Sequence, residues 1–226
     1  MSAEMDLQQH RPERLLVVVA HPGDAEVSMG GAIARWTAED AVAALVCATS
    51  GEAYGDDAAA DPLALAALRE EEQRAAAAVL GCEHATFLHR PDGAVANDLA
   101  LREQLVRIIR GFRPDAVATF DPRTIIDERG LNHVDHRVVG AATLDALDAA
   151  TNAMAFPALV RSERLEPHPV QRVFLLRAQA PTETLDISGS LDAKLRALAA
   201  HTGGRCGGGE PATRLRTESF ATIDLG

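Results

Sequence analysis

Six consecutive apolar residues, Leu15-Leu16-Val17-Val18-Val19-Ala20, end abruptly at His21-Pro22-Gly23-Asp24. A run with no polar alternation suits a strand covered by helices on both faces, as in a parallel sheet. The theme recurs. Val42 to Ala48 is a second apolar run, Thr86 to Leu88 and Ala116 to Phe120 are shorter mainly apolar strands, and Val170 to Leu176, apolar but for Gln171 and Arg172, makes a fifth. Helical stretches separate them. The first covers 26–40, with Met29, Ile33 and Trp36 along one side. The second, 62–80, is rich in Ala, Leu, Glu and Arg and stops at Gly81. The others cover 97–112, stopped by Gly111 and Pro114, then 134–150 and 189–201.

This alternation predicts a single-domain α/β fold over 13–226, preceded by a flexible polar arm at 1–12. The architecture expected is a Rossmann-like, doubly wound, mostly parallel sheet with helices on both faces. Such sheets bind ligands at the carboxyl ends of their strands. The polar clusters fall on that edge: His21 to Asp24 after the first strand, Thr49 to Glu52 after the second, Arg90 to Gly93 after the third and Asp121 after the fourth. The stretches 54–61 and 203–209 read as loops, either of which could act as a lid.

Composition removes several function classes. A net charge of −11 with no basic stripe argues against a nucleic-acid partner. No run of eighteen apolar residues exists to span a membrane, and the polar start ending in Arg11-Pro12 does not read as a signal peptide. A cytoplasmic protein is expected. Cys47, Cys82 and Cys206 are odd in number and lack CxxC spacing, which disfavours a disulfide framework or a cysteine zinc site. No G-x-G-x-x-G opens the first helix, so a dinucleotide site is disfavoured too.

His21 and Asp24 can reach one ion from a tight turn. Asn132-His133-Val134-Asp135-His136 offers a third ligand if the loop after the fourth strand folds over the same edge. Taken alone, His21 is a strand-end imidazole and Asp24 a helix cap. The second cluster favours the metal reading, because an i, i+3 pair near a helix start puts His133 and His136 on one side.

These motifs resemble those of the PIG-L/LmbE-like family of metal-dependent N-deacetylases. The family's AHPDD motif reads Ala20-His21-Pro22-Gly23-Asp24 here, continued by Ala25-Glu26 and Gly30-Gly31. Its T-x-GE motif is Thr49-Ser50-Gly51-Glu52, and its R-x-x-E…A…LG helix is Arg69, Glu72, Ala76 and Leu80-Gly81. The FL…DG segment is Phe87-Leu88 with Asp92-Gly93, and H-x-DH is His133-Val134-Asp135-His136. The late segment is Lys194, Ala197-Leu198 and His201, and Glu218-Ser219-Phe220 matches E-x-F. The resemblance covers nearly the whole chain in order.

It implies hydrolysis of an N-acetyl amide on an N-acetylglucosamine-type conjugate, in thiol-cofactor or secondary-metabolite biosynthesis. The partner implied is a small-molecule amino-sugar conjugate, and family members often associate as homo-oligomers. His21, Asp24 and His136 match the ligands of one divalent metal, zinc or alternatively iron(II). His133 matches the histidine that stabilises the oxyanion and protonates the leaving amine, and Asp135 the carboxylate that tunes it. Arg69, Asp92 and Glu52 match substrate-binding positions.

Two departures stand out. Thr202-Gly203 replaces a common serine–glutamine pair, and Gly23 replaces the aspartate that acts as general base. Three readings stay open. The enzyme uses another base, such as His133, Glu26 or Asp92; its acyl chemistry is altered; or it binds metal without hydrolysing. The bland reading of Gly23 is a tight turn needing positive φ. His84, His89 and His168 read as surface or capping residues.

Overall fold

The computed structural model describes residues 11–55, 57, 59–127, 130–202 and 216–225. The loop expected at 203–209 lies outside the described residues, as do residues 1–10 of the arm and positions 56 and 58.

The described elements are β1 (Arg14–Val19), α1 (Asp24–Ala38), β2 (Val42–Cys47), α2 (Pro62–Val79), β3 (Ala85–Phe87), α3 (Leu99–Phe112), β4 (Ala116–Phe120), β5 (Ile126–Asp127), β6 (Gly130–Leu131), α4 (Val134–Ala150), α5 (Pro157–Glu163), β7 (Arg172–Leu176), β8 (Glu183–Asp186), α6 (Leu191–Ala199) and β9 (Thr217–Asp224). One seven-stranded sheet runs in the order β3-β2-β1-β4-β7-β9-β8. The strands from β3 through β7 pair in parallel. β9 then pairs antiparallel with β7 and β8 antiparallel with β9, which extends the mostly parallel sheet by an antiparallel edge.

The apolar runs form the central strands for the expected reason. Leu15 to Val19 and Val117 to Ala118 are wholly inaccessible to solvent. Each large aliphatic side chain so buried is worth about 1.5–3 kcal/mol. The residues that leave β1 therefore start from a rigid base. Helices α1, α2 and α6 pack as one layer, and Trp36 of α1 stacks on Phe174 of β7 at 5.3 Å between ring centroids. Helices α3 and α4 form the other layer, with α4 lying against β4 and β1.

The strand order reverses between β1 and β4, so a crevice opens at their carboxyl ends. Gly140 sets how closely α4 approaches it. A Cβ at that position would lie 2.2 Å from the Phe120 carbonyl oxygen, which only glycine avoids. The first turn of α4 is thereby pressed onto the end of β4, beside the turn that leaves β1. Among the described residues, no helix is long and apolar enough to cross a membrane.

Candidate metal centre

The turn after β1 is built around Gly23. This residue caps α1 with φ 95° and ψ −20°, a left-handed conformation, and brings no side-chain cap. Asp24 is thus not the helix cap; it is the first residue of α1. Its carboxylate folds back to accept the His21 backbone N–H at 2.8 Å. Helix α2 holds the turn from beneath. Gln73 Oε1 accepts the Gly23 N–H at 2.7 Å, and Arg69 donates to the carbonyls of Pro22 (2.8 Å) and Gly51 (3.3 Å).

Three donors converge above this turn. His21 Nδ1 lies 3.3 Å from Asp24 Oδ2, and His136 Nε2 lies 3.3 Å from Asp24 Oδ1. One donor atom from each of His21, Asp24 and His136 falls within 4.8 Å of the others. A tetrahedral ion with bonds of about 2.0–2.1 Å needs donors roughly 3.3 Å apart. Two imidazoles and a carboxylate at this spacing fit zinc, and iron(II) equally by ligand type. His136 is buried and stacks on the Phe120 ring at 4.0 Å.

The far side of the His21 ring meets two more carboxylates. Nε2 lies 3.0 Å from Asp92 Oδ1 and 3.3 Å from Asp135 Oδ2. Asp135 is fully buried and accepts the N–H groups of Gly93 (2.7 Å) and Val95 (3.1 Å). Glu52 Oε1 accepts the Asp92 N–H at 2.9 Å, while Asp92 Oδ2 accepts the Ala53 N–H at 3.0 Å. Glu52 and Asp92 thus tie the loops after β2 and β3 together. His133 caps α4, its Nδ1 accepting the Asp135 N–H at 3.3 Å. Its ring stands 4.9 Å from that of His21 and 5.7 Å from that of His136, between centroids.

The imidazoles and carboxylates shift one another's pKa values. Burial alone would lower the pKa of His21, but hydrogen bonds to Asp135, Asp24 and Asp92 override it and push the pKa up to about 11. Burial works to raise Asp24, yet His136 and His21 hold it well below the usual carboxylate range. Asp92 and Asp135 are likewise held down against burial, chiefly by His21. His133 is lowered, first by burial and then by the positive His21 ring.

Residues 16–147, more than half of the chain, match the family model described as PIG-L: GlcNAc-PI de-N-acetylase. The chain belongs to the PIG-L family. It is 27% identical over 206 residues to a diacetylchitobiose deacetylase from Thermococcus kodakarensis, covering 88% of this chain and 74% of that one. It is 34% identical over 170 residues to a 1D-myo-inositol 2-acetamido-2-deoxy-alpha-D-glucopyranoside deacetylase from Rhodococcus erythropolis, covering 64% of this chain but only 56% of that protein. In fold it resembles the solved N,N'-diacetylchitobiose deacetylase from Pyrococcus horikoshii, with TM-score 0.83, 23% identity, and coverage of 98% and 88%.

Not every residue of the PIG-L motifs stands at the donor set. Arg69 is buried, its guanidinium spent on the two carbonyls and lying 4.6 Å over the Tyr54 ring. Glu26 is wholly buried beneath the turn. Its Oε1 accepts from Gln73 at 2.6 Å, and its Oε2 lies 3.7 Å from His201 Nε2. Lys194 and Glu218, from the late motifs, form a buried ion pair at 2.6 Å. Thr202 donates twice to Glu72 Oε1, at 2.8 and 2.7 Å. His84 and His89 are exposed, and His168 is bonded to the Pro114 carbonyl at 2.7 Å. Sequence reasoning missed Gln73, Asn132 and Arg177. Asn132 opens the run that carries His133 and His136, but nothing in that spacing says which way its amide faces.

Proposed function

We propose that this protein is a metal-dependent N-deacetylase that hydrolyses the acetamide of an N-acetylglucosamine-type conjugate. The observation that carries the reading is the convergence of His21, Asp24 and His136 on one tetrahedron-sized space. These three would hold the ion, zinc or alternatively iron(II). When bound, it lowers the pKa of water toward ~7 and polarises the acetyl carbonyl.

The chain's own groups handle the protons. With Nδ1 accepting from the Asp135 backbone, a neutral His133 carries its hydrogen on Nε2. Its lowered pKa keeps it neutral near pH 7, so its Nε2–H hydrogen-bonds the developing oxyanion, while the proton the departing amine needs is the one taken from water. Asp135 fixes the Gly93–Val95 loop beside it. Gly23 supplies no carboxylate. Of the three replacement bases, Glu26 faces Gln73 and His201, and His133 presents an N–H. Asp92 is the remaining carboxylate, across the His21 ring from Asp24, and we assign it the proton from water. Glu52 holds the Asp92 loop and Arg69 the Pro22 and Gly51 carbonyls, roles that shape the substrate-binding edge.

Acetate release from a panel of N-acetylglucosamine, N,N'-diacetylchitobiose and an inositol-linked N-acetylglucosamine, with zinc or iron(II) added, tests the reading. Turnover of at least one conjugate is expected. No release by the wild type or by Gly23→Asp would overturn it. A second reading, metal binding without hydrolysis, is favoured by Gly23 alone. Ion binding without turnover in the wild type, with turnover gained by Gly23→Asp, would select it.

A further inference from the structure

Asn132 precedes the α4 cap and is 1% exposed. Each of its polar groups is engaged. Its N–H donates to the Ile125 carbonyl at 2.8 Å, and its own carbonyl accepts from Arg137 at 3.1 Å. Its Nδ2 donates to the Thr124 carbonyl at 2.8 Å, and its Oδ1 lies 2.9 Å from His136 Nδ1.

The amide cannot be turned over. Doing so would set Oδ1 against the Thr124 carbonyl oxygen, two acceptors at hydrogen-bond distance with no hydrogen between them. With the orientation fixed, Oδ1 is an acceptor, so His136 Nδ1 must carry a hydrogen. We propose that Asn132 is a positioning residue that fixes the His136 hydrogen on Nδ1 and so leaves Nε2, which faces Asp24, as the ring's metal-donor atom.

Arg177 Nη1 lies 3.4 Å from the same Nδ1, a contact that would suit an acceptor nitrogen, but it is longer than the 2.9 Å contact to Asn132 Oδ1. Arg177 instead grips Asp127, with nitrogens 2.7 and 2.5 Å from Oδ2. The Phe120 ring, 12° from parallel, covers one face of the imidazole and limits its rotation. Turning the ring over would place a carbon against Asn132 Oδ1. An amide also suits the site because it orients the imidazole without adding charge to a cluster that already holds Asp24, Asp92 and Asp135.

The metal-donor part of the inference rests on the metal reading; the tautomer does not. The experiment therefore has two arms. Long-range proton–nitrogen correlation spectra of 15N-histidine-labelled, metal-free protein should show a hydrogen on His136 Nδ1 throughout the pH range in which the protein is folded. An Nε2–H tautomer in the wild type overturns the proposal. Zinc affinity by chelator competition should fall about 10–100-fold in Asn132→Leu, which removes the acceptor. Wild-type affinity in Asn132→Leu also overturns it. Thermal unfolding checks that the variant is folded. Should the leucine variant fail to fold, the wild-type tautomer still decides. If no form binds zinc, the metal reading falls, and the tautomer alone judges Asn132.

Discussion

His136 Nε2 lies 3.3 Å from Asp24 Oδ1, which joins the first turn of α4 to the first residue of α1. The contact exists because β1 and β4 are neighbours and because α4 lies almost on the β4 backbone. Neither half of the donor set could hold an ion with so few donors alone.

Gly140→Ala tests that approach. Its Cβ would meet the Phe120 carbonyl at 2.2 Å, so α4 must move away. We expect a loss of about 1–3 kcal/mol, read from the urea midpoint, together with weaker zinc binding. A variant as stable as the wild type would show that α4 has room to spare.

Asp92→Asn separates a proton acceptor from a sugar contact. As the base, Asp92 should cost about 10²–10⁴ in kcat when replaced, with KM little changed. Adding Gly23→Asp to that variant should restore much of the rate. A rise in KM at constant kcat would instead assign Asp92 to binding.

Gly23→Asp in the wild type carries a conformational cost. Its φ of 95° disfavours any residue with a Cβ, by about 1–2 kcal/mol. We expect faster deacetylation from a less stable protein, measured as kcat/KM and urea midpoint on one preparation. Unchanged stability would mean the turn relaxes on substitution.

Lys194→Met should expose the cost of a lone buried carboxylate. Burial already raises Glu218 above the usual range, and Lys194 opposes that rise. Without the ammonium, the folded chain would keep the Glu218 proton to higher pH than the unfolded chain, whose pKa is near 4.5. Above that pH the unfolded state binds fewer protons, so the variant loses stability as pH rises. We expect a deficit of about 3–5 kcal/mol at neutral pH that shrinks toward about pH 5. Urea midpoints at the two pH values measure it, and a constant deficit would contradict the assignment.

The central strands were legible because both of their faces are covered, which leaves continuous apolar runs. β9 buries the charged Glu218 and then Phe220 and Ala221 in succession, so its sequence shows no apolar–polar alternation, and β5 and β6, two residues each, are too short for a period. The donor residues could be read from motif spacing. The direction of Arg69 could not, because burial under the Pro22–Gly51 carbonyls depends on how α2 packs. The pairing of Glu26 with Gln73 and of Lys194 with Glu218 likewise joins segments that share no local pattern. The left-handed φ of Gly23 bears out the tight-turn reading.

The most direct measurement is the metal content of purified wild-type protein and of His136→Ala, determined by mass spectrometry after growth with zinc and after reloading. The donor geometry predicts about one divalent ion per wild-type chain and little or none in the variant. Equal occupancy in the two proteins would contradict a site formed by His21, Asp24 and His136.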